Sequence, residues 1–233
     1  MRSSAIASGA LLVLLLVLVE VGWSPVLSLD RSVAESLHRS AVAEPGFTRL
    51  NRILSDWVWD PWTMRALVVL AAFVLWRRQR EPRLALWLVI ALVVAAVVQQ
   101  VLKAALGRKR PGWPDPVDTA HFAAFPSGHA TTAVVGCGLL LWVLALHWRD
   151  SWRGWSVLTV AALVTVAGTG WTRIYLGVHW LTDVVAGCLL GWCVVAVAIV
   201  TYRRSGGEGR EFGRNTGRPT ASGPNGSRMG ETT

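Results

Sequence analysis

At 233 residues the chain has room for one or two soluble domains, but 53% of it is hydrophobic, only 16% is charged and the mean hydropathy is +0.44. A charged fraction well below the roughly 25% of soluble domains, combined with long apolar runs, excludes an ordinary soluble fold and places the chain in a bilayer. The net charge of +9 does not point to nucleic acid, because the basic residues lie between apolar runs or in the tail, as the positive-inside bias and lipid headgroups require, and form no single basic face.

In chain order, the first apolar run covers 5–21 after Arg2. A short basic start before an apolar core also describes a signal peptide, but the run is long and no A-x-A cleavage site follows it, so a retained helix is expected. Residues 30–62 read as an amphipathic, charge-mixed connection along the membrane interface, ending in Trp57, Trp59 and Trp62, since Trp favours the headgroup zone. A second span is expected over 63–76, short against the roughly 20 residues a bilayer needs, with a start as early as Trp57 left open. Arg77, Arg78, Arg80 and Arg83 mark a basic turn. Further spans follow over 84–106, 127–146, 155–171 and 184–202, with a polar loop at 107–126 and a second basic turn carrying Arg149 and Arg153.

These runs predict an all-α, polytopic membrane helical bundle with six transmembrane helices. Residues 1–204 form the membrane domain. Residues 205–233, rich in Gly, Arg, Ser, Thr, Asn and Pro, form a disordered tail that cannot bury enough apolar surface to order itself. Six spans bring the N-terminus, the two basic turns and the tail to one side, which the positive-inside rule makes cytoplasmic. Segments 30–62, 107–126 and 172–183 then meet on the outer face of the cell membrane. The cysteines Cys137, Cys188 and Cys193 lie within apolar runs with no CxxC or metal-ligand spacing, and read as small packing residues.

Three polar clusters stand out on that outer face. Lys103 ends an apolar helix, where an unpaired ammonium is costly, and Arg110-Pro111 follows in KAALGRKRP. Two snorkelling cations at a helix end explain this cluster equally well. Pro126-Ser127-Gly128-His129 precedes an apolar span, so free backbone N–H groups at a helix start face any anion, Ser127 can cap or donate, and His129 lies beside it. An ordinary cap with an interfacial histidine is the plainer reading. Arg173, His179 and Asp183 occur in WTRIYLGVHWLTD, the last two spaced to share a helical face, so that a carboxylate can hold one ring N–H and leave the other nitrogen as nucleophile or base. A local His–Asp ion pair at a span boundary would look the same. Together, on one side, the three are far harder to dismiss.

These residues resemble the type 2 phosphatidic acid phosphatase family, which shares its site with the vanadium-dependent haloperoxidases. The family signature is Lys-x6-Arg-Pro, Pro-Ser-Gly-His and Ser-Arg-x5-His-x3-Asp. The chain offers Lys103 with Arg110-Pro111, then Pro126 to His129, then Arg173, His179 and Asp183, a motif region of 103–183, with Thr172 where the pattern has Ser. The resemblance implies a two-step phosphoryl transfer that uses no metal or other cofactor. His179 would attack phosphorus, Asp183 would orient His179, and His129 would protonate the leaving oxygen and then activate water. Lys103, Arg110, Arg173, Ser127 and the Gly128 amide would hold the non-bridging oxygens. The expected substrate is a membrane lipid phosphate: phosphatidate, phosphatidylglycerol phosphate or, by the outward site, a polyprenyl pyrophosphate such as undecaprenyl pyrophosphate. A lipid phosphotransferase, a haloperoxidase (though those relatives are soluble), and a non-enzymatic transporter or scaffold are the alternatives. The sequence sets no oligomeric state. His38 and His147 read as interfacial or solvated, His121 as a loop residue that could touch substrate, and Arg108 and Lys109 as contacts to lipid phosphates or guides for an anionic headgroup.

Overall fold

The computed structural model describes residues 1–147 and 152–206. It is helical throughout, with eight α-helices among the described residues: α1 Arg2–Glu20, α2 Ser24–Ala43, α3 Pro45–Ile53, α4 Pro61–Arg77, α5 Pro82–Leu106, α6 Gly128–His147, α7 Trp152–Tyr175 and α8 Leu181–Arg204. Six stretches are long and apolar enough to cross a membrane. Helices suit that setting because each satisfies its own backbone hydrogen bonds where no water is available. The chain is a multi-span membrane protein.

The elements depart from the sequence expectations mainly at their ends. The amphipathic connection of 30–62 is itself helical: α2 and α3 fold over one end of the bundle, and a π-helical turn, Leu54–Val58, leads towards α4. Within the second candidate span, Pro45–Arg77, helix α4 starts at Pro61, where the Asp60 carboxylate caps it by accepting from the amides of Trp62 (2.7 Å) and Thr63 (3.3 Å). Helix α7 runs on to Tyr175, so Thr172 and Arg173 belong to a helix and not to a loop. Helix α8 starts at Leu181, which puts Asp183 in its first turn and His179 before it. Arg149 and the expected tail beyond Gly206 lie outside the described residues.

Helix α8 is the most buried span and packs on α1, α5 and α6. Its crossing with α6 depends on Gly187 and Gly191, spaced as in a small-xxx-small helix pair. A β-carbon at Gly187 would lie 2.6 Å from the Ser127 carbonyl oxygen, and one at Gly191 would lie 2.9 Å from that of Thr131. Only glycine allows that approach, and it brings the first turn of α6 against the first turn of α8. Below the crossing, Phe125, Val135, Leu139, Ala186, Leu190 and Val195 form part of the main apolar core. Helix α1 lies along α8, with Cys193 Sγ 3.7 Å from the Ala5 carbonyl.

Candidate active site

One end of the bundle collects the C-termini of α5 and α7, the N-termini of α6 and α8, and the 107–126 loop. Helix α5 stops at Gly107, whose left-handed backbone (φ 56°) closes the last turn on the Lys103 carbonyl. The loop then folds back through its own cations. Lys103 Nζ donates to the Ala123 carbonyl (2.6 Å), and Arg110 Nε and Nη2 donate to the carbonyls of Phe122 (3.0 Å) and His121 (3.1 Å). Trp113 Nε1 donates to the Gly177 carbonyl (2.9 Å) and Trp180 Nε1 to the Lys109 carbonyl (2.9 Å), pinning the loop to the α7–α8 turn.

His179 lies in that turn, 2% exposed. Its Nδ1 is 3.3 Å from Asp183 Oδ2, and its Nε2 is 3.1 Å from Arg110 Nη1. A guanidinium can only donate, so Nε2 is the acceptor and the ring proton belongs on Nδ1, facing Asp183. Burial holds the His179 imidazole well below the ordinary histidine range, and Arg110, Arg173 and Lys103 push the same way. Burial also lowers the Arg110 pKa, with Asp183 and Asp118 opposing. The His179–Asp183 contact is therefore made, though not across a helical face as the spacing suggested. Asp183 reaches back from the first turn of α8, where its Oδ2 also accepts from the Trp180 amide (2.9 Å).

Helix α6 starts at Gly128, and its first turn is tied to α8 by the Ser127 amide donating to the Asp183 carbonyl (2.9 Å). The Ser127 side chain does not cap: its Oγ is buried and has no hydrogen-bond partner among the described residues. His129, half-buried, lies within electrostatic reach of Arg173, His179, Arg110 and Lys103. Arg173 is 5% exposed; its Nη1 donates to Ser55 Oγ (2.8 Å), Asp118 Oδ2 is 3.8 Å away, and its Nε is buried without a partner among the described residues. Two orphaned buried donors, Ser127 Oγ and Arg173 Nε, together with the cations Lys103 and Arg110 at the same end of the bundle, describe a cradle that fits an oxyanion.

All eight expected site residues thus gather at one end of the bundle. Two other readings need correction, those of Arg108 and His38. Arg108 is not a headgroup contact: it is 14% exposed at its side chain and pairs with Asp183 and Asp30 inside the protein. His38 is buried and stacks on Trp113 at 4.1 Å, its imidazole pushed down by burial with Asp115 opposing. His147 is half-buried and pairs with Glu81 at 2.9 Å at the far end of the bundle. His121 is exposed and serves Arg110 through its backbone. Sequence reasoning missed Asp30, Ser55 and Asp118. Asp30 had a signal, since it continues the buried stripe of Ala34, His38 and Ala41 on α2.

Fold and geometry together define a polytopic helical membrane protein with a buried cluster of cations and imidazoles at one end. Residues 84–206, more than half of the chain, match the PAP2 superfamily, and the chain belongs to that family. It is 30% identical over 171 residues to a decaprenylphosphoryl-5-phosphoribose phosphatase of Mycobacterium tuberculosis, covering 71% of this chain and 86% of that one. It is 29% identical over 151 residues to an undecaprenyl-diphosphatase of Sulfolobus acidocaldarius, and 33% identical over 95 residues to phosphatidylglycerophosphatase B of Bacillus subtilis. Those matches cover 61% and 41% of this chain, and 62% and 46% of the two relatives' lengths. The fold superposes on the crystal structure of a PAP2-type phosphatidylglycerolphosphate phosphatase from Bacillus subtilis, with a TM-score of 0.74 at 19% identity, over 86% of this chain and 96% of that one.

Proposed function

We propose that this protein is an integral membrane lipid phosphatase that hydrolyses a lipid phosphate or polyprenyl diphosphate through a phosphohistidine at His179. The observation that carries the reading is the placement of His179, with Nδ1 against Asp183 and Nε2 against the cationic cluster, an arrangement that suits a neutral ring carrying its proton on Nδ1. Nε2 is the nucleophile. Arg110 now bonds it and swings its Nη1 to a phosphoryl oxygen as substrate enters. Arg173 Nε, Ser127 Oγ, Lys103 and the first amides of α6, unpaired as at any helix start, take the other oxygens.

In the first step the Nε2 lone pair forms the N–P bond while the P–O bond to the lipid breaks, its electron pair leaving with the lipid oxygen. His129, entering as imidazolium because the bound phosphate's negative charge favours its protonation, supplies the proton that oxygen needs and is left neutral. In the second step His129 takes a proton from water, the hydroxide oxygen bonds phosphorus, and the N–P electrons return to Nε2. Such transfers need mainly positioning and charge stabilisation on the equatorial oxygens. Three fixed cations supply it without a metal.

The names of relatives acting on lipid phosphates and diphosphates support this class of substrate, with polyprenyl carriers favoured. The basic turn at the far end of the bundle supports, by the positive-inside bias, a cytoplasmic placement of that end and an extracytoplasmic site in the cell membrane. The test is phosphate release by purified protein in detergent across lipid monophosphates and prenyl diphosphates, with and without EDTA. Release insensitive to EDTA, and lost by several orders of magnitude in a folded His179→Ala variant, is expected. Near-normal turnover in that variant would overturn the assignment.

A further inference from the structure

Asp183 divides its two oxygens between different duties. Oδ2 faces His179 Nδ1 and the Trp180 amide, while Oδ1 accepts from Arg108 Nη1 at 2.6 Å. The Arg108 fork is used further: Nη1 donates to Thr182 Oγ1 (2.7 Å) and Nη2 to Asp30 Oδ2 (2.7 Å). Asp30 in turn accepts from the Thr182 amide at Oδ1 (2.9 Å) and from the Thr182 hydroxyl at Oδ2 (2.6 Å). Both carboxylates are buried, and the Trp180 ring covers the guanidinium with its centroid 5.8 Å from Cζ. Asp30 comes from α2, outside the residues that match the family.

We propose that Asp30 and Arg108 are a positioning pair that holds and tunes the Asp183 carboxylate. The proposal rests on the reading of His179 as nucleophile. Its charge balance gives the reason. Arg108 against Asp183 alone would make a neutral pair, with little left to support the positive charge His179 acquires when Nε2 bonds phosphorus. Sharing the guanidinium with Asp30 leaves the three groups at a net charge of −1, which answers the cationic ring. The same bonds restrain the Asp183 carboxylate, because each oxygen has its own donor: Oδ1 takes Arg108 Nη1 and Oδ2 takes the Trp180 amide, while Asp30 holds the other arm of the guanidinium. Arg108 thus acts through Asp183 and touches no phosphate.

The test uses the full-length protein in detergent, farnesyl diphosphate as substrate and inorganic phosphate as competing product. Asp30→Asn keeps the shape and removes the charge; Arg108→Lys keeps the charge and loses the fork. Each is expected to lower kcat by about tenfold to a hundredfold, as the loss of an outer-shell partner does. KM and the phosphate inhibition constant should stay within about twofold, since ground-state binding is untouched. The double variant should fall little below the worse single, because both changes break one unit. If a variant fails to melt cooperatively, Thr182→Val, which deletes the shared hydroxyl and keeps every charge, takes its place with the same split expected. Wild-type kcat in folded Asp30→Asn overturns the proposal, as does an Arg108 variant whose loss appears in KM and phosphate inhibition. A wild-type protein that releases no phosphate, or a His179→Ala variant that still does, removes the phosphatase reading itself.

Discussion

His179 carries its two ring nitrogens into opposite surroundings, a carboxylate at Nδ1 and a guanidinium at Nε2. The consequence for pH follows from the sign of its shift. Its folded-state pKa is below the unfolded value of 6.5, so the unfolded chain binds the proton more readily. The contribution to stability is whole above pH 6.5 and is lost as pH falls below it, at up to about 1.4 kcal/mol per pH unit for one proton. Melting in detergent from pH 7 down to pH 5 should show a falling midpoint, and His179→Asn should flatten that slope. Arg173 permits a sharper test, since its Nε is buried without a partner among the described residues and its charge acts on His179. Replacing it by Lys removes a donor fork but keeps a charge, and kcat should drop roughly a hundredfold to a thousandfold, the usual loss for one preorganised donor.

At the scale of elements, the close approach of α6 and α8 sets the site. Gly187→Ala would drive a β-carbon against the Ser127 carbonyl, which is backbone and cannot swing away. We expect a loss of about 1–3 kcal/mol, as in other overpacked contacts, read as a lower melting midpoint. Activity should fall with it, because the Ser127–Asp183 backbone bond that aligns the two first turns would open. The six spans and their order were legible from hydropathy, which measures what a bilayer demands. Their ends were not. Capping by Asp60 and Asp183 is decided by local hydrogen bonds that no apolar average detects. Among single residues, Lys103, Arg110, His129, Arg173, His179 and Asp183 were readable because charge and imidazole are conspicuous at the ends of apolar runs. Arg108 was visible but misassigned. Arg108 and Arg110 are partly buried while Lys109 between them is exposed, an alternation that the basic run concealed. The stripe on α2 marked Asp30 as buried, but not what it pairs with, because its partners lie 78 and 152 positions away in sequence.

For the molecule as a whole, every described candidate site residue lies at one end of the bundle, while the Arg77–Arg83 turn and the Glu81–His147 pair occupy the other. The core between them is apolar and closely packed, with Val135, Leu139 and Val195 almost wholly enclosed. No headgroup can reach His179 through that core, since a charged phosphate would have to shed its hydration among aliphatic side chains. The proposed phosphatase therefore has a sidedness that its chemistry alone does not impose. In sealed vesicles carrying one orientation, hydrolysis should consume the labelled lipid of the leaflet facing the site and then stop. It should resume only when a detergent or a flipping activity delivers the other leaflet's lipid to the same mouth.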